Sequence, residues 1–114
     1  MTDVEIIRLN ELPPSNIARE FVGADHGGAG LCLILVDAPP GRGPGLHKHP
    51  YHEVFLVQEG DGVFTTEEGE QPVRGGDLVV VPPDTWHGFT ATGDGQLRMT
   101  SIQPSARFET EWRD

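Results

Sequence analysis

The stretch GRGPGLHKHPYHEVFLVQEG, Gly41 to Gly60, carries the strongest chemical signal in this chain of 114 residues. It sets His47, His49 and Glu53 at spacings of two and four. Along an extended strand successive side chains alternate between faces, so residues an even number apart share one. All three are expected to point the same way, provided Pro50 introduces no bulge. Two imidazoles and a carboxylate converging on one face suit a borderline divalent transition metal. His52 has the opposite parity and is expected to face away, as a neighbour and not a ligand.

A further histidine lies in GDLVVVPPDTWHGF, Gly76 to Phe89. The apolar run Leu78 to Val81 reads as a buried strand. Pro82, Pro83 and Asp84 end it with turn chemistry. Trp86 and His87 open the next extended segment. Two strands of one sheet system, each bringing histidine inward, would close a four-ligand site.

Together these two segments resemble the paired motifs of the cupin family. The first motif runs Gly, five residues, His-x-His, three or four residues, Glu, six residues, Gly, and Gly41, His47, His49, Glu53 and Gly60 fit it without a gap. In the second, Gly76, Pro82 and His87 match; Asp84 stands where the family has Gly, and Ala91 where it has Asn. The resemblance implies an all-β fold, an antiparallel jelly-roll β-barrel, with His47, His49, Glu53 and His87 as metal ligands. It spans Gly41 to Ala91, and the 15 residues from Asp61 to Gly75 between the motifs match compact members.

The rest of the chain is consistent with a single domain over residues 1–114, with N-terminal strands and a loop in 1–30 and the motifs in 41–60 and 76–91. A chain of this length buries about two thirds of its unfolded surface, enough for a core. Strands are expected at Val4–Leu9, Ala18–Gly23, Leu31–Val36, Tyr51–Gln58, Val63–Thr66, Gln71–Arg74, Leu78–Val81, Trp86–Thr92, Leu97–Gln103 and Phe108–Trp112. Turn residues punctuate them at the short intervals of a sandwich or barrel. No segment of useful length has helical periodicity. Leu31–Val36 and Tyr51–Val57 are apolar on both faces, which implies that the outer face is also covered. A homodimer is the expected source of that cover, with the alternating Phe108, Thr110 and Trp112 adding a packing stripe.

Composition excludes several functions. A formal net charge of −10 disfavours nucleic acid and anionic membranes as partners. No apolar run approaches the ~20 residues of a membrane-spanning helix. The N-terminus has no signal-peptide pattern, and Cys32, the single cysteine, allows no intrachain disulfide. Both fit a cytoplasmic protein, with Cys32 read as a small buried apolar residue. His26, in the loop Asp25–Gly30, reads as a solvated side chain. No serine sits in a nucleophile elbow, and no Gly-rich loop opens a helix to cradle phosphate.

Three imidazoles and one carboxylate leave two positions of an octahedron open, whereas structural zinc sites close at four. One divalent ion per chain is therefore expected, drawn from Fe, Mn, Ni, Co, Cu or Zn. Tyr51 is the candidate catalytic residue, a possible donor to bound substrate; its alternative is a barrel-mouth aromatic without a role. Arg42 is either an anion contact at the rim or a solvated loop charge. The small cupin is expected to be an oxidoreductase, a metal-dependent dioxygenase acting on a small organic substrate. The alternatives are a metal-dependent isomerase or lyase, using Tyr51 or His52 as acid or base, and a non-enzymatic small-molecule-binding module.

Overall fold

The computed structural model describes residues 3–113. Ten strands form two antiparallel five-stranded sheets. In chain order they are β1 (Ala18–Val22), β2 (Cys32–Ala38), β3 (His47–Lys48), β4 (Glu53–Glu59), β5 (Asp61–Thr66), β6 (Gly69–Arg74), β7 (Leu78–Val81), β8 (His87–Ala91), β9 (Leu97–Gln103) and β10 (Glu111–Trp112). One sheet has the order β1-β2-β9-β4-β7 and the other β10-β3-β8-β5-β6. Helical content among the described residues is two 3-10 turns, Leu9–Glu11 and Gly23–Asp25. No helix there is long and apolar enough to cross a membrane.

The alternation of apolar residues along β4 and β9 builds the core. Phe55, Val57, Leu97 and Met99 are buried between the sheets. Phe64 on β5 and Phe89 on β8 meet Phe55 edge-on, with ring centroids 4.9 and 5.8 Å apart. These aromatic contacts lie in the core between the sheets. At the β4–β5 turn Gly60 has φ +92° and lies where a Cβ would stand 2.2 Å from the Gln96 carbonyl oxygen, so only glycine fits. The Asp84 turn before β8 also needs a left-handed residue: φ is +58°, and its N–H donates to the His49 carbonyl at 2.8 Å. Glycine is usual in that conformation, and aspartate is among the few side chains that tolerate it.

Several expected elements differ. Val4–Leu9 forms no strand; the segment is irregular and enters the 3-10 turn at Leu9, with no strand paired to it. The expected Phe108–Trp112 strand shortens to Glu111–Trp112, which finds only Lys48 and His47 as partners. Leu78–Val81 is a strand buried on one face only: Val81 is buried, but Leu78 and Val80 are 65% and 61% exposed, because no described residue covers the outer face of β7. The same outer face carries Phe21, Leu33, Ile102, Val54 and Val80 in one register row across five strands.

Candidate metal centre

The four histidine and glutamate residues singled out by the motifs meet in space. His47, His49, Glu53 and His87 are all buried, and their ligand atoms all lie within 4.8 Å of one another. They do not share one strand. His47 lies on β3 directly opposite His87 on β8, and His49 follows just beyond β3. The chain then leaves that sheet through Pro50–His52, and Glu53 opens β4 in the other sheet. The three imidazoles therefore face the carboxylate across the barrel. The expectation of one continuous strand fails at Pro50, although His52 is exposed as expected.

Each imidazole is fixed through its outer nitrogen. Nδ1 of His47 lies 2.9 Å from the Gly45 carbonyl, that of His49 2.9 Å from the Glu109 carbonyl, and that of His87 2.8 Å from the Thr85 carbonyl. A carbonyl only accepts, so each Nδ1 carries the proton and donates it. Nε2 of a neutral ring then presents a lone pair to the centre, the tautomer a metal requires. Nε2 of His87 and His49 stand 2.8 and 3.2 Å from Glu53 Oε1. The His49 nitrogen has no hydrogen-bond partner despite its burial.

Glu53 is held as firmly. Its Oε2 accepts hydrogen bonds from the Ser101 hydroxyl and, at 3.1 Å, from Gln103 Nε2. Gln103 Oε1 in turn accepts from the Tyr51 hydroxyl at 2.6 Å, and the Tyr51 oxygen accepts from the Glu109 N–H at 3.1 Å. Ser101 and Gln103 lie on β9, beside β4, with their side chains on the same inward face. Their spacing of two was readable; their pairing with Glu53 was not, because it depends on which strand lies next to β4.

Electrostatics follow from this packing. Burial alone would raise the Glu53 pKa, but the adjacent His49 and His87 imidazoles and the Ser101 hydroxyl outweigh it and hold the carboxyl down at about 2. Burial lowers the pKa of His47 below 6.5 and keeps it neutral. Burial also acts downward on His49, but the Glu53 carboxylate and the Glu109 carbonyl leave it raised above 6.5. Lone pairs and a carboxylate confined together, with one buried nitrogen orphaned, fit a cation at their centre. The donor set of three nitrogens and one oxygen suits a single divalent transition ion.

The remaining candidates fall elsewhere. Tyr51 does not line the cavity over the cluster; its hydroxyl is engaged with Gln103 and Glu109, and its ring stacks on His49 at 5.3 Å. Arg42 is at the rim, donating to Asn16 Oδ1 at 2.8 Å. His26 is engaged, stacked on Phe21 and paired with Glu5 at 3.0 Å. Trp86 lies under the Lys48 ammonium and Arg113 guanidinium. Sequence reasoning did not place Trp112 at the site. Its ring packs on His47 at 4.7 Å, and it lines the cavity together with Phe108 and Thr110. Their shared parity was the available signal: all three line the cavity, although Trp112 remains 61% exposed.

A jelly-roll barrel with three histidines and a glutamate converging at its mouth defines a class of metal-site barrels. The chain belongs to the cupin family: the cupin domain matches residues 34–103. It is 31% identical over 111 residues to an oxalate-binding protein of Thermotoga maritima, covering 85% of this chain and 91% of that protein. It is 39% identical over 59 residues to a gentisate 1,2-dioxygenase of Ralstonia, which is 51% of this chain but 16% of the dioxygenase. Among solved structures, an oxalate decarboxylase of Bacillus subtilis with Mn(II) centres superposes with a TM-score of 0.76 at 22% identity. That match covers 91% of this chain and 30% of the decarboxylase.

Proposed function

We propose that this chain is a metal-dependent cupin oxidoreductase, a dioxygenase acting on a small organic substrate. The observation that carries the metal part of this reading is the set of three Nδ1 hydrogen bonds to backbone carbonyls, which turn three Nε2 lone pairs towards a centre shared with the Glu53 carboxylate. His47, His49, Glu53 and His87 would hold one ion, and a redox-active ion bound there supplies a Lewis acid able to hold substrate and dioxygen together. The cavity beside the cluster gives substrate access to it: Phe55, Phe89 and Ile34 line its walls and limit water. The gentisate dioxygenase supports oxygen chemistry, and the Mn(II) of the decarboxylase supports manganese among the candidate ions.

A metal-loaded binding module is the second reading. It is favoured by the oxalate-binding relative, which this chain covers almost end to end. The isomerase or lyase reading would rest on Tyr51 or His52 as acid or base, and neither of them lines the cavity. Oxygen-electrode measurements on Fe- and Mn-loaded protein against aromatic and carboxylic acids separate the first two. Substrate-dependent oxygen uptake is expected from the dioxygenase. Ligand binding without uptake for any metal would contradict it and leave the binding module.

A further inference from the structure

The cavity over the cluster has a volume of about 520 Å³, within the range of small-molecule sites. Its inner end is His47, His49 and Glu53, and its walls are apolar, among them Ile34, Val36, Phe89 and Phe108. No lysine or arginine is among the described residues that line it. Apart from Glu53, the acidic group lining it is Glu20. Glu20 faces inward from β1 in the register row that continues through Ile34, Ser101 and Phe55. The Arg42 guanidinium donates to Asn16 Oδ1 at the rim and does not itself line the cavity.

This distribution of charge sets what fits. A divalent ion with Glu53 leaves one net positive charge at the inner end, which one anionic chelating group of a ligand neutralises. A second carboxylate further out would lie among apolar side chains with no cation to pair it and Glu20 repelling it, which is costly. An apolar body in the same place gains from burial. We propose that the chamber takes a small monoanionic ligand, one oxygen-chelating group on a largely apolar body of about ring size, and discriminates against dianions. The inference rests on the metal reading above.

Three α-hydroxy acids with one common chelating head test it: lactate, 3-phenyllactate and malate. Each is titrated calorimetrically into Mn(II)-loaded protein whose metal content has been measured. Phenyllactate is expected to bind at least tenfold more tightly than lactate, and malate no more tightly than lactate. Phe108→Ala is expected to weaken phenyllactate binding while leaving lactate unchanged. Ile34→Lys, which sets a cation in the wall, is expected to reverse the order in favour of malate. One ion per chain with malate tighter than phenyllactate, with equal binding of lactate and phenyllactate, or with no binding of phenyllactate would overturn this inference alone. Protein that takes up no metal would overturn it together with the metal reading.

Discussion

Glu53 is the residue on which most of the site's interactions converge. Its carboxylate accepts from Ser101 and Gln103 and faces two imidazole nitrogens, in a setting 1% exposed. Removing one donor leaves a buried acceptor under-satisfied, so Ser101→Ala is expected to destabilise the metal-free protein by about 1–3 kcal/mol in urea unfolding. The carboxyl ionises near 2 in the fold against an ordinary 4.5. A depressed acid contributes stability above its ordinary pKa and loses it as pH falls through the folded value. The loss is therefore expected between pH 4.5 and about 2, on the order of 3 kcal/mol, and Glu53→Gln should flatten that limb of the stability curve. Metal affinity has a different window. His47 stays neutral below 6.5 but His49 is raised above it, so competition by protons begins at His49 and affinity should start to fall while pH is still above 6.5. At this scale the sequence was informative: the four ligand types and their parity were visible in Gly41–Gly60 and Gly76–Phe89. The partners of the Tyr51 hydroxyl, Gln103 and Glu109, were not, because parity names a face and not what lies on it.

Among the elements, the short C-terminal strand β10 does more for the centre than its two-residue pairing suggests. The segment Phe108–Trp112 supplies the carbonyl that orients His49, the N–H bound by Tyr51, and the ring packed on His47. Ending the chain at Arg107 leaves the core of Phe55, Val57, Leu97 and Met99 untouched. The truncated protein is expected to remain folded by circular dichroism while metal affinity drops about 10–100-fold, the usual effect of losing ligand-orienting partners. At the Asp84 turn, φ +58° suits glycine better than alanine. Asp84→Ala is expected to cost about 1 kcal/mol, and Asp84→Gly to be near neutral, by thermal unfolding. Strands Leu97–Gln103 and Leu78–Val81 were legible to the residue. The passage from β3 to β4 was not: nothing local to Pro50–His52 announces that the chain changes sheets, since that is decided by strands distant in sequence. Val4–Leu9 shows the reverse case, where a β-like composition found no neighbouring edge to pair with.

The whole molecule exposes an apolar row on one side of the sheet β1-β2-β9-β4-β7. Ile102 and Val80 on it, with Leu56 and Leu78 alongside, are 37%, 61%, 40% and 65% exposed. The row has no charged residue at its centre, so a second copy of the same face meets it without opposing like charges, as a two-fold interface requires. We expect a homodimer through this face. Sedimentation at micromolar concentration should give the dimer mass, and Leu78→Glu should shift it towards 12.4 kDa. A wild-type protein at the monomer mass would contradict it. The two-sided apolar character of Leu31–Val36 and Tyr51–Val57 signalled an uncovered surface in the sequence. Which strands share that surface required the β2-β9-β4-β7 order.

The central claim, a single-ion centre at His47, His49, Glu53 and His87, is tested most directly by elemental analysis of metal per chain. Wild type, His49→Ala, His87→Ala and His52→Ala are incubated alike with Mn, Fe, Ni and Zn and freed of excess. Wild type and His52→Ala should hold one ion per chain, and His49→Ala and His87→Ala much less. Equal metal in all four proteins, or none in the wild type with every ion, would contradict it.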